Sequence, residues 1–285
     1  MERPCLIIFI VLLASYVVIL LHVRTRSSER QRKALSTCGS HITVVTLFFG
    51  PCIFIYLGLS TTLSVDKMVA VFYTVITPLF NSVIYSLRNT EVKKAMKSSC
   101  GSSRFMDSPR NVRVFMLGLS QNPKVHRVLF VFFLIVYLVS TGGNLLVMIT
   151  IVFSPTLGSP MYIFLSCFSF IDTCYSSCMN SKLIADSLYE GRAITFKGFL
   201  AQLFVAHLLG GTEIILLTVM AYDHYVAICK PLHYTAVMTR HLCALLVRLA
   251  WLGGFLHSLV QLLLVLQLPF RRPNVTNHFV CDLYP

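Results

Sequence analysis

The stretch VLFVFFLIVYLVSTGGNLLVMITIV, at residues 128–152, decides the fold class because it contains no charged side chain. An apolar stretch of about 20 residues is long enough to cross a lipid bilayer as an α-helix. A water-soluble domain would have to bury nearly every side chain of such a segment. The stretch therefore predicts a membrane-spanning helix.

The rest of the chain continues this pattern. Of its 285 residues, 56% are hydrophobic and 12% are charged, and this charged share is about half that of an ordinary soluble domain. The predicted fold class is an all-α membrane protein with seven transmembrane helices, at residues 4–23, 42–63, 68–87, 128–152, 160–179, 199–228 and 242–268. The first apolar run is longer than the core of a cleaved signal peptide, so we predict an uncleaved span.

The formal net charge of +13 does not indicate a nucleic-acid partner. The basic residues flank the apolar spans, where they face the headgroups of membrane lipid. Most of the ten cysteines lie inside apolar spans, and no CxxC pair occurs. Cys174 and Cys178 have no further ligand group nearby in the sequence, so we predict neither zinc nor any other cofactor there.

The charges also predict an orientation. The connection at 24–33 carries five basic residues and is placed in the cytoplasm by the positive-inside rule. The polar linker at 98–124 contains no apolar run and cannot cross the membrane. The fourth span would then start from the cytoplasm, and Lys230 and Arg240 would lie outside. The charges thus predict two halves of opposite orientation.

Four sequence motifs occur together in the chain: PMYIFLSCFSFID at 160–172, GGTEIILLTVMAYDHYVAICKPLHY at 210–234, RKALSTCGSHITVVTLFFG at 32–50 and TPLFNSVIYSLRN at 77–89. Together they closely resemble the vertebrate olfactory receptors, a branch of the rhodopsin-like G-protein-coupled receptors. The resemblance implies a seven-helix rhodopsin-like bundle that binds a small volatile odorant and signals through a heterotrimeric G protein. It implies a receptor rather than an enzyme, located in the plasma membrane, with retention in the endoplasmic reticulum as an alternative.

The order of the resembling segments differs from that of the family. Residues 1–97 resemble the family's fifth to seventh helices and its short C-terminal helix, residues 98–124 form a polar linker that includes the receptor N-terminus, and residues 125–285 resemble the first to fourth helices and the start of the second outer loop. The bundle is therefore expected in permuted chain order. Since the family has its N-terminus outside and its C-terminus inside, the linker would have to cross the membrane. A non-signalling product of fused or degraded receptor fragments is the alternative.

Two acidic residues, Asp172 and Glu213, lie within apolar spans, where a charge is costly and usually has a role. The resemblance implies that they and Asn81 line a polar cavity that can hold a sodium ion, for which oxygen ligands are suitable. The alternatives are a neutral acid hydrogen-bonded to a neighbouring helix and an ion pathway through a transporter or channel.

The triplet Asp223–His224–Tyr225 resembles the acid–arginine–tyrosine switch that meets the G protein at the end of the family's third span. His224 replaces the arginine, and histidine lacks both the permanent charge and the guanidinium fork. A degraded switch is the first interpretation and a tolerated variant is the second. No nucleophile or ligand pattern accompanies the histidine, so a catalytic or metal-binding role is not expected.

Other positions depart from the family pattern. Ser82 follows Asn81 where the family has proline, which removes a helix kink. Phe199 stands where the family has the first cysteine of its outer disulfide, so Cys281 lacks its partner and no disulfide is predicted. Asn274 begins the glycosylation sequon Asn-Val-Thr, which is usable only if it reaches the lumen.

The resemblance implies an apolar odorant pocket between the helices, with a few polar groups. Its predicted members are His207, Gly210, Gly211, Phe49, Ile53, Tyr56 and Tyr73. Ordinary helix packing is the alternative for each residue, and for the two glycines it is close packing of small residues.

Overall fold

The computed structural model describes residues 2–23, 28–56, 77–88, 115–116, 123–154, 159–188, 196–267 and 275–276. The long helices within these ranges are α1 (Glu2–Val23), α2 (Ser28–Tyr56), α3 (Thr77–Arg88), α4 (Pro123–Phe153), α5 (Pro160–Leu188), α6 (Phe196–Cys229) and α7 (Arg240–Gln267). A 3₁₀ turn at Pro231–His233 and a single helical turn at Tyr234–Val237 connect α6 to α7.

Each of the seven predicted spans overlaps one of these helices, and the predicted all-α membrane fold is confirmed. Within the described ranges, three helical segments are long and apolar enough to cross a membrane by length and composition: Phe130–Phe153, Lys197–Cys229 and Arg240–Gln267. Two shorter apolar segments lie at Ile8–Val23 and Cys38–Pro51. Helix α5 is less apolar because it contains several polar residues, and some of these, including Asp172 and Asn180, are buried in the bundle.

The bundle exposes apolar side chains and buries polar ones. Leu21, Leu138 and Leu256 are more than half exposed, whereas Asn144, Asp172 and Glu213 are buried. In water this distribution would be unfavourable, but the hydrocarbon core of a bilayer solvates apolar side chains and leaves polar groups to find partners within the protein. The outer faces of the helices are therefore suited to lipid.

One core joins the two parts of the chain. Phe48 and Phe49 of α2 belong to the same buried cluster as Phe164 and Phe168 of α5 and Leu216 of α6. Helices α4 and α5 pack side by side, as do α6 and α7, and α1 and α2 pack on α6. The segments at 2–88 and 123–267 thus form a single bundle.

The packing of α1, α2 and α6 fixes how the two parts are oriented. Tyr16 on α1 contacts His41 on α2, and His41 contacts His224 on α6. Cys38, one turn before His41, interacts with Cys229, which follows His224. Helix α2 therefore runs antiparallel to α6, and the start of α2 lies at the same end of the bundle as the 230–239 turn. We call this end of the molecule the hairpin end.

This arrangement contradicts the opposite orientations predicted from the charges, which placed Lys230 and Arg240 on the other side from the 24–33 connection. The physical reason is that charges near span ends report membrane sidedness and contain no information on which helices pack together. The buried contacts between α1, α2 and α6 determine the packing.

A two-residue parallel pair is the exception to the helical structure in the described ranges. Strand β1 (Phe115–Met116) pairs with β2 (Val275–Thr276) in the register Phe115 with Val275 and Met116 with Thr276. Strand β1 precedes α4 and β2 follows α7. The pair therefore connects the chain before Pro123 with the chain after Gln267.

Several predictions lie outside the described residues. They concern most of the 98–124 linker, the short helix predicted after Arg88, and the residues Tyr73, Asn274 and Cys281.

Candidate functional site

Asp172 and Asn81 meet in the middle of the bundle. Asp172 is on α5 and Asn81 is on α3, and both are buried. The Asn81 Nδ2 atom donates to Asp172 Oδ2 at 3.2 Å and lies 3.5 Å from Oδ1. The Asn81 Oδ1 atom is buried and has no hydrogen-bond partner among the described residues. The site therefore has an unused oxygen acceptor.

Glu213 completes this group from α6. It is buried, and its carboxyl group interacts electrostatically with that of Asp172. The three predicted residues Asn81, Asp172 and Glu213, which we call the mid-bundle cluster, are thus brought together from three helices. Their oxygen atoms are of the type that hard cations prefer as ligands. Among the described residues, no group of three or more histidine, cysteine or acidic side chains could hold a metal ion.

Polar contacts of α4 with α3 and α5 continue from this cluster. Asn144 Nδ2 donates to the carbonyl oxygen of Pro78 at 3.2 Å. The hydroxyl groups of Ser140 and Ser176 lie 3.3 Å apart, and those of Tyr137 and Ser177 lie 3.4 Å apart. The sequence analysis missed these residues. Their signal is the spacing of polar residues three and four apart in the otherwise apolar α4, which places them on one helix face.

At the hairpin end, Asp223 is paired with a tyrosine rather than with the adjacent histidine. The Tyr234 hydroxyl donates to Asp223 Oδ1 at 2.9 Å. Burial raises the pKa of Tyr234 to about 12, so the phenol stays protonated and keeps donating. Tyr234 lies in the turn between α6 and α7 and was missed, although it ends one of the quoted motifs.

His224 belongs to a separate chain of contacts across three helices. Its Nδ1 atom lies 2.7 Å from the carbonyl oxygen of Met220, one turn earlier on α6. Its ring centroid lies 5.0 Å from that of His41 on α2, with 37° between the ring planes. The Nδ1 atom of His41 is hydrogen-bonded to the Tyr16 hydroxyl on α1. The sequence analysis missed both His41 and Tyr16. His41 could have been found as a polar residue in the apolar part of α2, whereas no local feature of the sequence distinguishes Tyr16.

The third residue of the triplet, Tyr225, is half-buried and packs against the main core. The structure therefore separates the triplet into three environments: Asp223 bonds to the connecting turn, His224 faces α2, and Tyr225 packs on apolar side chains.

The predicted pocket residues also occupy different environments. Phe49 is fully buried, with its ring 5.4 Å from that of Phe9 and 5.2 Å from that of Phe48. Ile53 is half-buried and packs on the same core. The side chain of Tyr56, at the end of α2, lies outside the described side chains.

On α6, His207, Gly210 and Gly211 have different surroundings. The His207 ring lies 5.7 Å from that of His257 on α7, in an edge-on arrangement. A Cβ atom at Gly210 would meet nothing within 4 Å, whereas one at Gly211 would lie 3.3 Å from the Cα atom of Gly254. Gly211 thus contacts α7 closely, while Gly210 borders open space.

Phe199 packs in a small cluster with Leu200, Leu203 and Val265 near the start of α6 and the end of α7. The six described cysteines in the bundle carry thiols: Cys38, Cys167, Cys174, Cys178, Cys229 and Cys243.

Comparison with known proteins gives two family matches on separate segments. The family described as 7 transmembrane receptor (rhodopsin family) matches residues 143–285. The family described as Olfactory receptor matches residues 5–100.

Individual relatives agree with these family matches. Olfactory receptor 4A47 of Homo sapiens is 51% identical over 181 residues, which are 63% of this chain and 59% of that protein. Olfactory receptor 4X2 of Homo sapiens is 56% identical over 169 residues, 59% of this chain and 56% of that protein. Olfactory receptor 4B13 of Mus musculus is 49% identical over 179 residues, 62% of this chain and 59% of that protein. The chain spans less than two thirds of the length of these relatives.

The fold and the match over 143–285 define the class, which is that of the rhodopsin-like seven-helix membrane receptors. Within this class, the chain belongs to the olfactory receptor family.

Proposed function

We propose that this protein binds small volatile odorants in the plasma membrane. The observation that carries the proposal is that the two family-matched segments pack into one bundle with one core, joined by the contact between Asn81 and Asp172. A ligand that acts on helix packing needs such a continuous bundle. The open space beside Gly210 and the neighbouring His207 supply a small volume and a polar group for the ligand.

Binding can be tested on the full-length chain in lipid nanodiscs. We expect odorants to raise the temperature of thermal unfolding, because a ligand that binds only the folded state stabilises it. Gly210→Leu would fill the open space and reduce this rise. Gly142→Leu is the matched control. A Cβ atom at Gly142 would also meet nothing within 4 Å, but Gly142 is at an exposed position on α4. No odorant-dependent rise in any member of a broad panel would overturn the proposal.

We further propose that coupling to a heterotrimeric G protein is weak or absent in this chain. A fixed cation at position 224 would be available to the G protein, but His224 is buried, faces His41 and carries no permanent charge. Expressed in cells, the chain is expected to give little cyclic AMP in response to odorants that bind it.

The variant His224→Arg tests this reading, because it restores the missing guanidinium group. We expect it to increase the odorant-dependent cyclic AMP signal. His241→Arg is the control, since it adds the same group at an exposed position on α7 near the hairpin end. A strong signal from the unmodified chain would contradict the proposal.

The mid-bundle cluster favours a bound sodium ion as a third proposal. The unused Asn81 oxygen and the two interacting carboxyl groups are oxygen donors from three helices. At a sodium concentration of ten times the dissociation constant, binding would stabilise the folded state by about 1.4 kcal/mol. We expect sodium chloride to raise the unfolding temperature above that in N-methylglucamine chloride, and Asp172→Asn to remove the difference. Equal unfolding temperatures in the two salts would refute it.

The same residues allow a test of the ion-pathway alternative. A conducting pathway would produce a sodium flux in liposomes that is abolished by Asp172→Asn, whereas a structural ion would give stabilisation without flux. Flux above that of empty liposomes would favour the pathway over the receptor.

We also propose that the chain carries its receptor segments in permuted order. The family matches lie on two separate segments, at 5–100 and 143–285, and the proposed order rests on the resemblance of residues 1–97 to the family's later helices and of residues 125–285 to its earlier ones. Sequencing of the messenger RNA across codons 97–106 tests it, because a continuous message is required. A fused or degraded fragment remains the alternative, and absence of a continuous message would favour it.

The side of the membrane occupied by the end of the chain has its own test. If the second half lies as in the family, Asn274 reaches the lumen and is glycosylated, and Asn274→Gln removes a mass shift on a gel. If the charges determine the orientation of the second half, Asn274 stays unmodified.

A further inference from the structure

Arg248 is a charged side chain on the outer surface of α7. The helix begins at Arg240, and a rise of about 1.5 Å per residue places Arg248 well inside the membrane-spanning part. Arg248 is exposed, and so are Leu245, Leu249 and Leu252 around it. These leucines are suited to the acyl chains of a bilayer, where a charge without a partner costs free energy. Arg248 therefore needs an anionic partner.

The described part of the bundle does not supply this partner. Arg248 forms no hydrogen bond or ion pair there. The nearby acids are engaged elsewhere, since Asp223 accepts from Tyr234 and Asp172 accepts from Asn81. Both carboxyl groups are buried inside the bundle, whereas Arg248 is on its surface. This difference favours a partner in the medium that contacts the surface, which is lipid.

The direction of α7 allows the guanidinium group to approach the lipid headgroups. Side chains on an α-helix point back towards its N-terminus. The N-terminus of α7 is at the hairpin end, next to the 230–239 turn. Arg248 can therefore keep its aliphatic stem among acyl chains while its charged group approaches the membrane surface. Ala244, one turn closer to the hairpin end, is exposed and small, so it leaves room for the long side chain.

Two more groups that can bind an anion lie on the same face of α7. His241 precedes Arg248 by two turns, which places the two residues almost in line along the helix. Arg240 is its neighbour, and both are exposed. We call Arg240, His241 and Arg248 the basic face of α7. A guanidinium group can bind two phosphate oxygens at once, and two guanidinium groups on one face favour a lipid with a net negative charge.

We propose that the basic face of α7 binds an anionic phospholipid, with the phosphate group held between His241 and Arg248 at the membrane surface. The acyl chains of this lipid lie along α7 over the exposed side chains of Leu252 and Leu256. The site is on the outer surface of the bundle, away from the mid-bundle cluster. The inference depends neither on odorant binding nor on coupling to a G protein.

Trp251 allows a local test, because it is the sole tryptophan of the chain and follows Arg248 by three residues. The full-length chain is reconstituted in phosphatidylcholine bilayers that contain either brominated phosphatidylserine or brominated phosphatidylcholine. Bromine atoms on acyl chains quench tryptophan fluorescence at short range only, so the quenching gives the relative affinity of the two lipids beside Trp251. We expect about a fivefold preference for phosphatidylserine.

Substitutions of Arg248 should change this preference. Arg248→Leu should remove it, because the group that reaches the phosphate is lost. Arg248→Gln is a second neutral variant with the same expected result, and it replaces the leucine variant if that protein does not fold. Arg248→Lys should keep part of the preference, because lysine retains the charge but binds phosphate with a single ammonium group.

Two matched controls remove a positive charge elsewhere. Lys197→Leu changes an exposed residue at the start of α6, at the opposite end from the hairpin end. Lys230→Leu changes an exposed residue at the hairpin end that is not on α7. Both variants should retain the preference for phosphatidylserine, because neither residue belongs to the basic face.

Equal affinities of the two lipids in the unmodified chain would overturn the inference, and so would a preference that persists in both neutral Arg248 variants. A loss of preference in Lys197→Leu as large as that in Arg248→Leu would also overturn it, because the preference would then follow the net charge of the chain. An Arg248-dependent dimer in phosphatidylcholine alone would mean that a second copy covers this face and would overturn the lipid site. No odorant is added, so each result is independent of the proposed function.

Discussion

Asp223 at the hairpin end and Asp172 in the middle of the bundle are both buried carboxyl groups, but their surroundings differ. Asp223 accepts a hydrogen bond from Tyr234, which lies in the adjoining turn. Asp172 accepts from the amide of Asn81, whose own Oδ1 atom has no partner among the described residues. A second acid, Glu213, interacts with Asp172. At the hairpin end Asp223 is hydrogen-bonded within the chain, whereas in the mid-bundle cluster the Asn81 Oδ1 atom has no partner among the described residues.

The comparison separates buried polar groups that stabilise the fold from those that lack a partner. A buried polar pair that satisfies itself contributes to folding, and removal of one partner costs free energy. A buried polar atom without a partner costs free energy until something binds to it. His41 is the exception at the hairpin end, because its Nε2 atom is also unpartnered.

Both regions depend on the packing of α6 on α7, and Gly254→Val should break it with the largest effect. A Cβ atom at Gly254 would lie 2.7 Å from the Leu208 carbonyl oxygen and 2.9 Å from the Thr212 nitrogen. Because backbone atoms must move, we expect a loss of about 3 kcal/mol, at the upper end for overpacking. Thermal unfolding in a mild detergent measures it. Gly142→Val is the control, and similar losses in both variants would exclude close packing as the cause.

Tyr234→Phe tests whether the hairpin end is self-satisfied. It removes the donor to Asp223 and leaves a buried carboxyl group without that partner, so we expect a loss of about 2 kcal/mol in unfolding free energy. Tyr222→Phe changes an exposed tyrosine on α6, next to Asp223, and should have little effect. An unchanged stability of Tyr234→Phe would mean that the Asp223 contact adds nothing.

Tyr16→Phe tests the contact chain that reaches His224. It removes the hydrogen bond to His41 while keeping the ring, and a neutral buried hydrogen bond contributes about 1 kcal/mol. A double-mutant cycle with His41→Phe should show coupling between the two positions. Tyr137→Phe is the comparison, because its 3.4 Å contact with Ser177 is longer and should matter less. Additive losses would show that the pair does not interact.

The smallest effect sharpens the distinction between partnered and unpartnered hydroxyl groups. Ser140 contacts Ser176, but the buried Thr141 Oγ1 atom has no partner among the described residues. Ser140→Ala should lower the unfolding free energy by about 0.5 kcal/mol. Thr141→Val replaces threonine by a residue of nearly the same size and should leave the unfolding free energy unchanged or raise it. Equal losses in the two variants would show that Thr141 also has a partner.

Much of the fold could be predicted from the sequence. A helix in a bilayer must satisfy its backbone internally, so apolar length alone located the spans, and the acids within them pointed to the mid-bundle cluster. The motifs around Asp172, Asp223 and Asn81 also identified the family. The partners of these residues were harder to predict, because Tyr16, His41 and Tyr234 lie on other elements and have ordinary neighbours in the sequence.

The sequence by itself determined that the chain is a multi-span helical receptor, because hydrophobic length and local motifs are properties of contiguous residues. Only the tertiary structure decided that Asp223 pairs with Tyr234, that His224 faces His41, and that Asn81 meets Asp172. It also decided that the start of α2 and the 230–239 turn share one end of the bundle, against the prediction from charge. The reason is that contacts between helices depend on their register and direction, which residues far apart in the chain set jointly.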